Sequence, residues 1–320
     1  MPTLFLSKSQ VLALLDMKET VEVVEEAFGL WARGKIIMPS KSYLILEKGD
    51  FRAMPAAIPG AAGVKWVNVH PGNPDRKLPT VMAVIIYSDP ENGYPLAVMD
   101  GTDITAYRTG AASAVASKYL ANPDPQTLGL VGAGRQAYTQ LAAHTVLFRF
   151  KLIKVFDIQP ASVERLIHSF PEYRIEAATV EDTMDSDIVC TTTPARVPVI
   201  KKEWVRPGTH INAVGADAPG KEELEPEILA LARIIVDDMK QASGSGEINV
   251  PLSKGLLDPG RIHGTLGEVV AGMKPGRKSR DEVTVFDATG LAFEDIACAH
   301  LIFHKVKDKP GYLWLDFVDG

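Results

Sequence analysis

The feature that most constrains this 320-residue chain is a glycine-rich turn set between an apolar run and a helical one. Leu128-Gly129-Leu130-Val131 leads directly into Gly132-Ala133-Gly134-Arg135-Gln136-Ala137, and helical spacing follows from Tyr138 to Leu147. In a strand–turn–helix unit of this kind the first glycine permits the tight turn, and the second lets the backbone approach a pyrophosphate. The third position, here Ala137, packs helix on strand. The helix N-terminus then offers N–H groups to phosphate oxygens. A second strand follows and ends at Asp157, whose carboxylate suits the two ribose hydroxyls of an adenosine and repels a 2′-phosphate. The segment therefore reads as an NAD site made by Gly132, Gly134 and Asp157. Arg135 stands near the place of a 2′-phosphate, which keeps NADP open as an alternative.

The rest of the second half fits that unit. Short apolar runs at 127–131, 153–157, 174–178, 187–193, 209–214, 233–237 and 282–287 alternate with helical stretches at 138–147, 161–170 and 225–232. Apolar strands with helical crossovers predict an α/β protein whose doubly wound, mostly parallel sheet forms a Rossmann domain. The first half differs in texture. A helical start, capped by Ser7 and continued by Val21, Val24, Ala27, Phe28 and Trp31, gives way after Gly34 to short strands. Turns at Lys48-Gly49-Asp50 and Glu91-Asn92-Gly93 punctuate these strands. An alanine-rich helix over 102–120 then runs into Asn122-Pro123-Asp124-Pro125, a natural boundary. The expected organisation is an α+β domain over 1–121, rejoined by about 297–320 through a last helix near 291–307, and a dinucleotide domain over 122–296.

Composition narrows the function. With 34 basic and 40 acidic residues the formal charge is −6, and no dense basic block offers a nucleic-acid footprint. No uncharged apolar run nears the ~18 residues of a membrane span. The N-terminus lacks the basic, apolar and small-residue regions of a signal peptide, so a cytoplasmic protein is expected. Cys190 and Cys298 both lie in apolar stretches and read as buried thiols. The seven histidines show no metal-ligand spacing, and no metal is expected.

Three charges occupy places that need explaining. Lys65 interrupts the apolar strand Gly63-Val64-Lys65-Trp66-Val67-Asn68-Val69; it is either an ammonium on a solvated edge or one desolvated for pairing and proton transfer. Arg108 stands among small residues in Tyr107-Arg108-Thr109-Gly110-Ala111-Ala112, where its fork of donors suits a carboxylate. Asp217 follows the strand ending at Val214, in Gly215-Ala216-Asp217-Ala218-Pro219-Gly220-Lys221. Ligands bind beyond the carboxyl ends of such strands, so an acid there is either a proton acceptor or an ordinary loop residue.

Taken together, these segments resemble the ornithine cyclodeaminase/mu-crystallin family, and most of all its alanine dehydrogenase branch. The resemblance is carried by Arg52-Ala53-Met54-Pro55, Lys65-Trp66-Val67-Asn68 with His70-Pro71-Gly72-Asn73-Pro74, Leu78-Pro79-Thr80-Val81 and Arg108-Thr109-Gly110-Ala111-Ala112. It continues through the glycine loop, Thr191-Thr192-Thr193-Pro194, Gly215-Ala216-Asp217 and Phe286-Asp287-Ala288-Thr289-Gly290. It implies a homodimer in which Lys65 and Arg108, helped by Lys41 and Arg52, hold a substrate carboxylate, and in which Lys65 and Asp217 serve acid–base chemistry. Thr109, Gly134, Gln136 and Asp157 would hold the cofactor, with Thr193, Val214 and Lys221 placed beside them. The implied reaction is NAD-dependent oxidation of a small amino acid, L-alanine, to its imine and then to pyruvate and ammonia. Ornithine cyclodeamination, ketimine reduction and non-catalytic binding of a cofactor or hormone are the alternatives. Arg52 weighs against ornithine, because a guanidinium stands where ornithine-using members are expected to carry a glutamate for the distal ammonium.

Overall fold

A computed structural model describes residues 2–316. In chain order the elements begin with β1 (Thr3–Leu6), α1 (Lys8–Leu14), α2 (Met17–Ala32), β2 (Ser42–Leu46), β3 (Gly49–Ile58), β4 (Ala61–Val69), β5 (Val81–Ser88), β6 (Pro95–Asp100) and α3 (Thr102–Leu120). There follow β7 (Thr127–Val131), α4 (Arg135–Leu147), β8 (Leu152–Phe156), α5 (Pro160–Ser169), β9 (Ile175–Ala177), α6 (Val180–Met184), β10 (Ile188–Thr191) and β11 (His210–Ala213). The chain closes with α7 (Pro226–Leu231), β12 (Arg233–Val236), α8 (Met239–Ser245), α9 (Asn249–Ser253), β13 (Ile262–Thr265), α10 (Leu266–Val270), β14 (Thr284–Asp287), α11 (Ala292–Val306) and β15 (Leu313–Leu315). Two compact units result. One holds the chain up to Arg108 and from Leu291 onward, the other Thr109–Gly290, so the division falls inside α3.

The first unit is built on a seven-stranded sheet in the order β15-β1-β6-β5-β4-β3-β2. The β2–β3, β3–β4, β4–β5 and β5–β6 pairs are antiparallel, as short turns between successive strands require. Strand β1 was not legible in the sequence: four residues ahead of a helix carry no period, and β1 forms by pairing in parallel with β6. Burial alternates along β5, with Ala83, Ile85 and Tyr87 inside and Val84 and Ile86 outside. The inner face packs on α11, which also meets α2, where Phe28 and Phe293 pack edge to face at 5.2 Å. The outer face keeps Trp66, Val84 and Ile86 about two-fifths exposed, with Trp66 paired to Val84 and Val64 to Ile86.

The second unit is a wholly parallel eight-stranded sheet, in the order β13-β12-β14-β11-β10-β7-β8-β9. Strands β10, β11, β12 and β14 are buried along their whole length, as in a parallel sheet covered on both faces. Chain order reverses at β7, with β8 and β9 to one side and β10 and β11 to the other. That switch point is where open α/β sheets bind ligands. Helix α3 lies tight on α4: a Cβ on Gly110 would sit 2.4 Å from the Thr139 carbonyl. Among the described residues no helix is long and apolar enough to cross a membrane.

Candidate active site

In the first unit, the pleat puts Lys65, Arg52 and Tyr43 on one face of the sheet. Met54 is the direct partner of Lys65, while Arg52, two residues away on the same side, opposes Val67 on one strand and Tyr43 on the other. This face meets α11, and there the cations find partners that the sequence had not pointed to. The Lys65 ammonium lies 2.6 Å from Asp295 Oδ2 and donates to Thr105 Oγ1 at 3.1 Å. Arg108 donates through Nε to Asp295 Oδ1 at 3.1 Å and through Nη1 to Glu294 Oε2 at 3.2 Å. Asp295 therefore bridges Lys65 and Arg108, and the lysine and both acids are at most 1% exposed. Glu294 also closes the first turn of α11 by accepting the Leu291 N–H at 3.1 Å. Two adjacent acids in the apolar run Leu291–Ala299 were a signal of the same kind as a lysine in an apolar strand.

Electrostatics distinguishes the two buried cations. Burial pushes Lys65 down to about 7; Asp295 opposes this, while the charges of Arg108 and Lys41 add to it. Lys65 can thus gain or lose a proton near neutrality, as an acid–base group must. Burial also acts to lower Arg108, but Asp295 and Glu294 outweigh it and raise its pKa, so the guanidinium stays charged. Arg52 is paired on both sides. Asp50 accepts from its Nε at 2.7 Å and from Nη2 at 3.3 Å, and the Tyr43 ring lies 5.5 Å from its centre. Arg52, Lys65 and Arg108 thus each hold a buried or half-buried acid in the first unit, and Lys41 lies close enough for its charge to act on Lys65.

The second unit carries Thr109 on α3 and places the other expected residues at the carboxyl ends of β7, β8, β10 and β11. Gly132 has φ +100°, and a Cβ there would meet Thr192 Oγ1 at 2.7 Å, so the turn itself requires glycine. Gly134 is different. It is the N-cap of α4, with extended backbone that any residue adopts, and a Cβ on it would meet nothing within 4 Å. No side chain caps α4 there, and its first turn carries no acid. An exposed, uncapped helix start beside a glycine that packing does not require fits an anionic pyrophosphate. Arg135 and Gln136 open α4. Asp157 faces the same loop, accepting the Ala133 N–H through Oδ2 and the Gln159 N–H through Oδ1, both at 2.8 Å.

Beyond β10 and β11 the loops are ordered by side chains. The Thr193 N–H and hydroxyl both donate to Glu223, at 2.7 and 2.8 Å. Val214 is buried and donates its N–H to the Thr191 carbonyl at 3.0 Å. Asp217, about one-third exposed, pairs with Lys221 at 2.5 Å. Thr109, on α3, accepts from Ser113 through its carbonyl at 3.3 Å. Glu223 was the other residue sequence reasoning missed, since a glutamate in a polar loop carries no periodic signal.

An archaeal alanine dehydrogenase dimer with bound NAD superposes with a TM-score of 0.98 at 48% identity, covering 99% of this chain and all of that one. The Thermococcus litoralis Δ1-pyrroline-2-carboxylate reductase, solved with NADH and L-proline, superposes at 0.94 with 38% identity, covering 97% of this chain and 99% of that one. Alanine dehydrogenase of Archaeoglobus fulgidus is 50% identical over 312 residues, 97% of each chain. A sequence description of one family matches residues 1–310, and with these relatives it shows that the chain belongs to the ornithine cyclodeaminase/mu-crystallin family.

Proposed function

We propose that this protein is an NAD-dependent amino-acid dehydrogenase that converts L-alanine, NAD and water to pyruvate, ammonia and NADH, reversibly. The observation that carries the reading is the buried Lys65–Asp295–Arg108 cluster, with Arg52 on the same sheet face, in a chain half identical to an alanine dehydrogenase. Bound NAD supplies the hydride acceptor. Gly132 and Gly134 would let the α4 N-terminus meet its pyrophosphate, Asp157 its adenosine ribose, and Thr109, Gln136, Thr193, Val214 and Lys221 the rest. Arg108, fixed in charge, orients the substrate carboxylate together with Lys41 and Arg52. Lys65, near neutrality in pKa, takes a proton from the substrate ammonium, and Asp217 is the second acid–base group, delivering water to the imine carbon. The apolar outer face of the first unit's sheet suits a second copy of the chain, and the similar archaeal alanine dehydrogenase is a dimer.

Reduction of a cyclic imine is the second reading, favoured by the likeness to the pyrroline-carboxylate reductase. The two are separated by incubating the protein with L-alanine and NAD while following NADH absorbance and assaying pyruvate, and in parallel offering a cyclic imino acid with NADH. NADH formed in step with pyruvate is the expected result. Consumption of NADH by the imine, without alanine oxidation, would replace the first reading by the second.

A further inference from the structure

Outside the Lys65 cluster, Glu223 is a fully buried carboxylate that accepts four hydrogen bonds. Its Oε1 accepts the Thr193 N–H at 2.7 Å and the Thr193 hydroxyl at 2.8 Å. Its Oε2 accepts the Thr191 hydroxyl at 2.7 Å and the Gly215 N–H at 2.8 Å. Thr191 ends β10, and Gly215 lies just past the end of β11. One side chain therefore ties together the two loops that leave adjacent strands on the dinucleotide side of the sheet. It also closes a loop of its own, because residues 215–223 begin at a donor to Glu223 and end at Glu223. Asp217 lies inside that clasp, with Lys221 as its partner. The packing is at its limit: a Cβ on Gly215 would sit 2.0 Å from the Thr193 carbonyl and 2.6 Å from the Glu223 carboxyl carbon.

Two further acids anchor the clasp from below. Glu247 Oε1 accepts the Glu223 N–H at 2.9 Å and the Leu224 N–H at 2.7 Å. Asp287 accepts the Glu247 N–H at 2.8 Å and the Ile248 N–H at 3.1 Å. Each acid thus receives the main-chain N–H of the next, from the end of β14 up to the Asp217 loop. Four donors on the two oxygens of Glu223 suit an ionised carboxylate. Burial raises Glu223, while its hydrogen bonds from Thr191, Thr193 and Gly215 oppose the rise. Burial and the charge of Glu223 raise Glu247 well above the usual range. Burial together with the charges of Asp237 and Glu223 brings Asp287 to about 8.

We propose that Glu223 is a positioning residue that holds Asp217 in its reacting place by clasping the loop over 215–223 to the loop after β10. The proposal rests on the reading of Asp217 as an acid–base group. Its test uses the full-length protein carrying Glu223→Gln, whose amide turns donors toward donors, with Thr191→Val as a milder variant that removes one hydroxyl without changing shape. Hydrogen exchange over 215–223 and NADH affinity by fluorescence are measured without turnover, beside kcat, KM and the pH profile of kcat for alanine. The expected result for Glu223→Gln is faster exchange over 215–223 and at Thr193, a fall in kcat of roughly 10²-fold and an altered pH limb, with KM for alanine within threefold. Thr191→Val should show the same pattern at smaller size, and it stands in if Glu223→Gln does not fold. Unchanged loop exchange in both variants would overturn the clasp. Freer exchange with kcat and its pH profile unaltered would overturn the positioning role. Absence of any turnover in the unmutated protein would instead overturn the functional reading, with the exchange result still deciding the clasp.

Discussion

Gly134→Val separates a glycine kept for a ligand from one kept for the fold. Gly134 is exposed and extended, and its missing side chain would point into open space. The fold should therefore lose no more than the N-cap preference, about 1 kcal/mol, or a few degrees in Tm. Cofactor binding should lose far more. A valine there keeps a pyrophosphate from the first turn of α4, forfeiting on the order of two charge-assisted N–H bonds at ~1.5–3 kcal/mol each. It also loses the helix-terminus field of ~0.3–2 kcal/mol. The sum, roughly 3–8 kcal/mol, corresponds to a ~10²–10⁶-fold weaker Kd. The assay is NADH titration by fluorescence beside a thermal melt. A folded variant binding NADH within threefold of the unmutated protein would refute the placement of the pyrophosphate. Gly132→Ala should behave oppositely, destabilising the fold itself, because its φ of +100° and its 2.7 Å approach to Thr192 leave no room.

Asp157→Ser should raise NADP use relative to NAD by removing a charge that repels a 2′-phosphate; a kcat/KM ratio for the two cofactors that does not move would take Asp157 away from the ribose. Arg52→Glu should shift the kcat/KM ratio toward ornithine and away from alanine, since it leaves two acids, with Asp50, where an ion pair stood; a shift further toward alanine would remove Arg52 from the pocket. With Lys65 at about 7, kcat/KM for alanine oxidation should rise from pH 6 to 8 as the lysine loses its proton and becomes a base. Asp295→Asn removes the nearest group that raises Lys65, so this limb should move to lower pH; a limb that stays or moves upward would mean that another group titrates.

The parallel unit was largely readable because its signals are local. A strand buried on both faces is an apolar run, a crossover helix repeats its apolar residues with the helical period, and the glycine turn at 132–134 is written in consecutive residues. Lys65 and Arg108 stood out for the same reason, as charges in apolar or small-residue surroundings. Their partners were not readable, since Asp295 lies 187 positions from Arg108 and ion pairing depends on proximity that only folding creates. Strands β1 and β13 were missed because a four-residue strand shows no period of its own and exists through the neighbour it pairs with. Local periodicity and composition, which record which faces are buried, were enough for the fold class, the dinucleotide loop and the charges set in apolar surroundings. The tertiary structure alone decided which acids neutralise those cations, why Gly134 is glycine without a packing reason, and how Glu223 gathers Thr191, Thr193 and Gly215. Each of these depends on the three-dimensional surroundings of a residue, on which local sequence has little bearing.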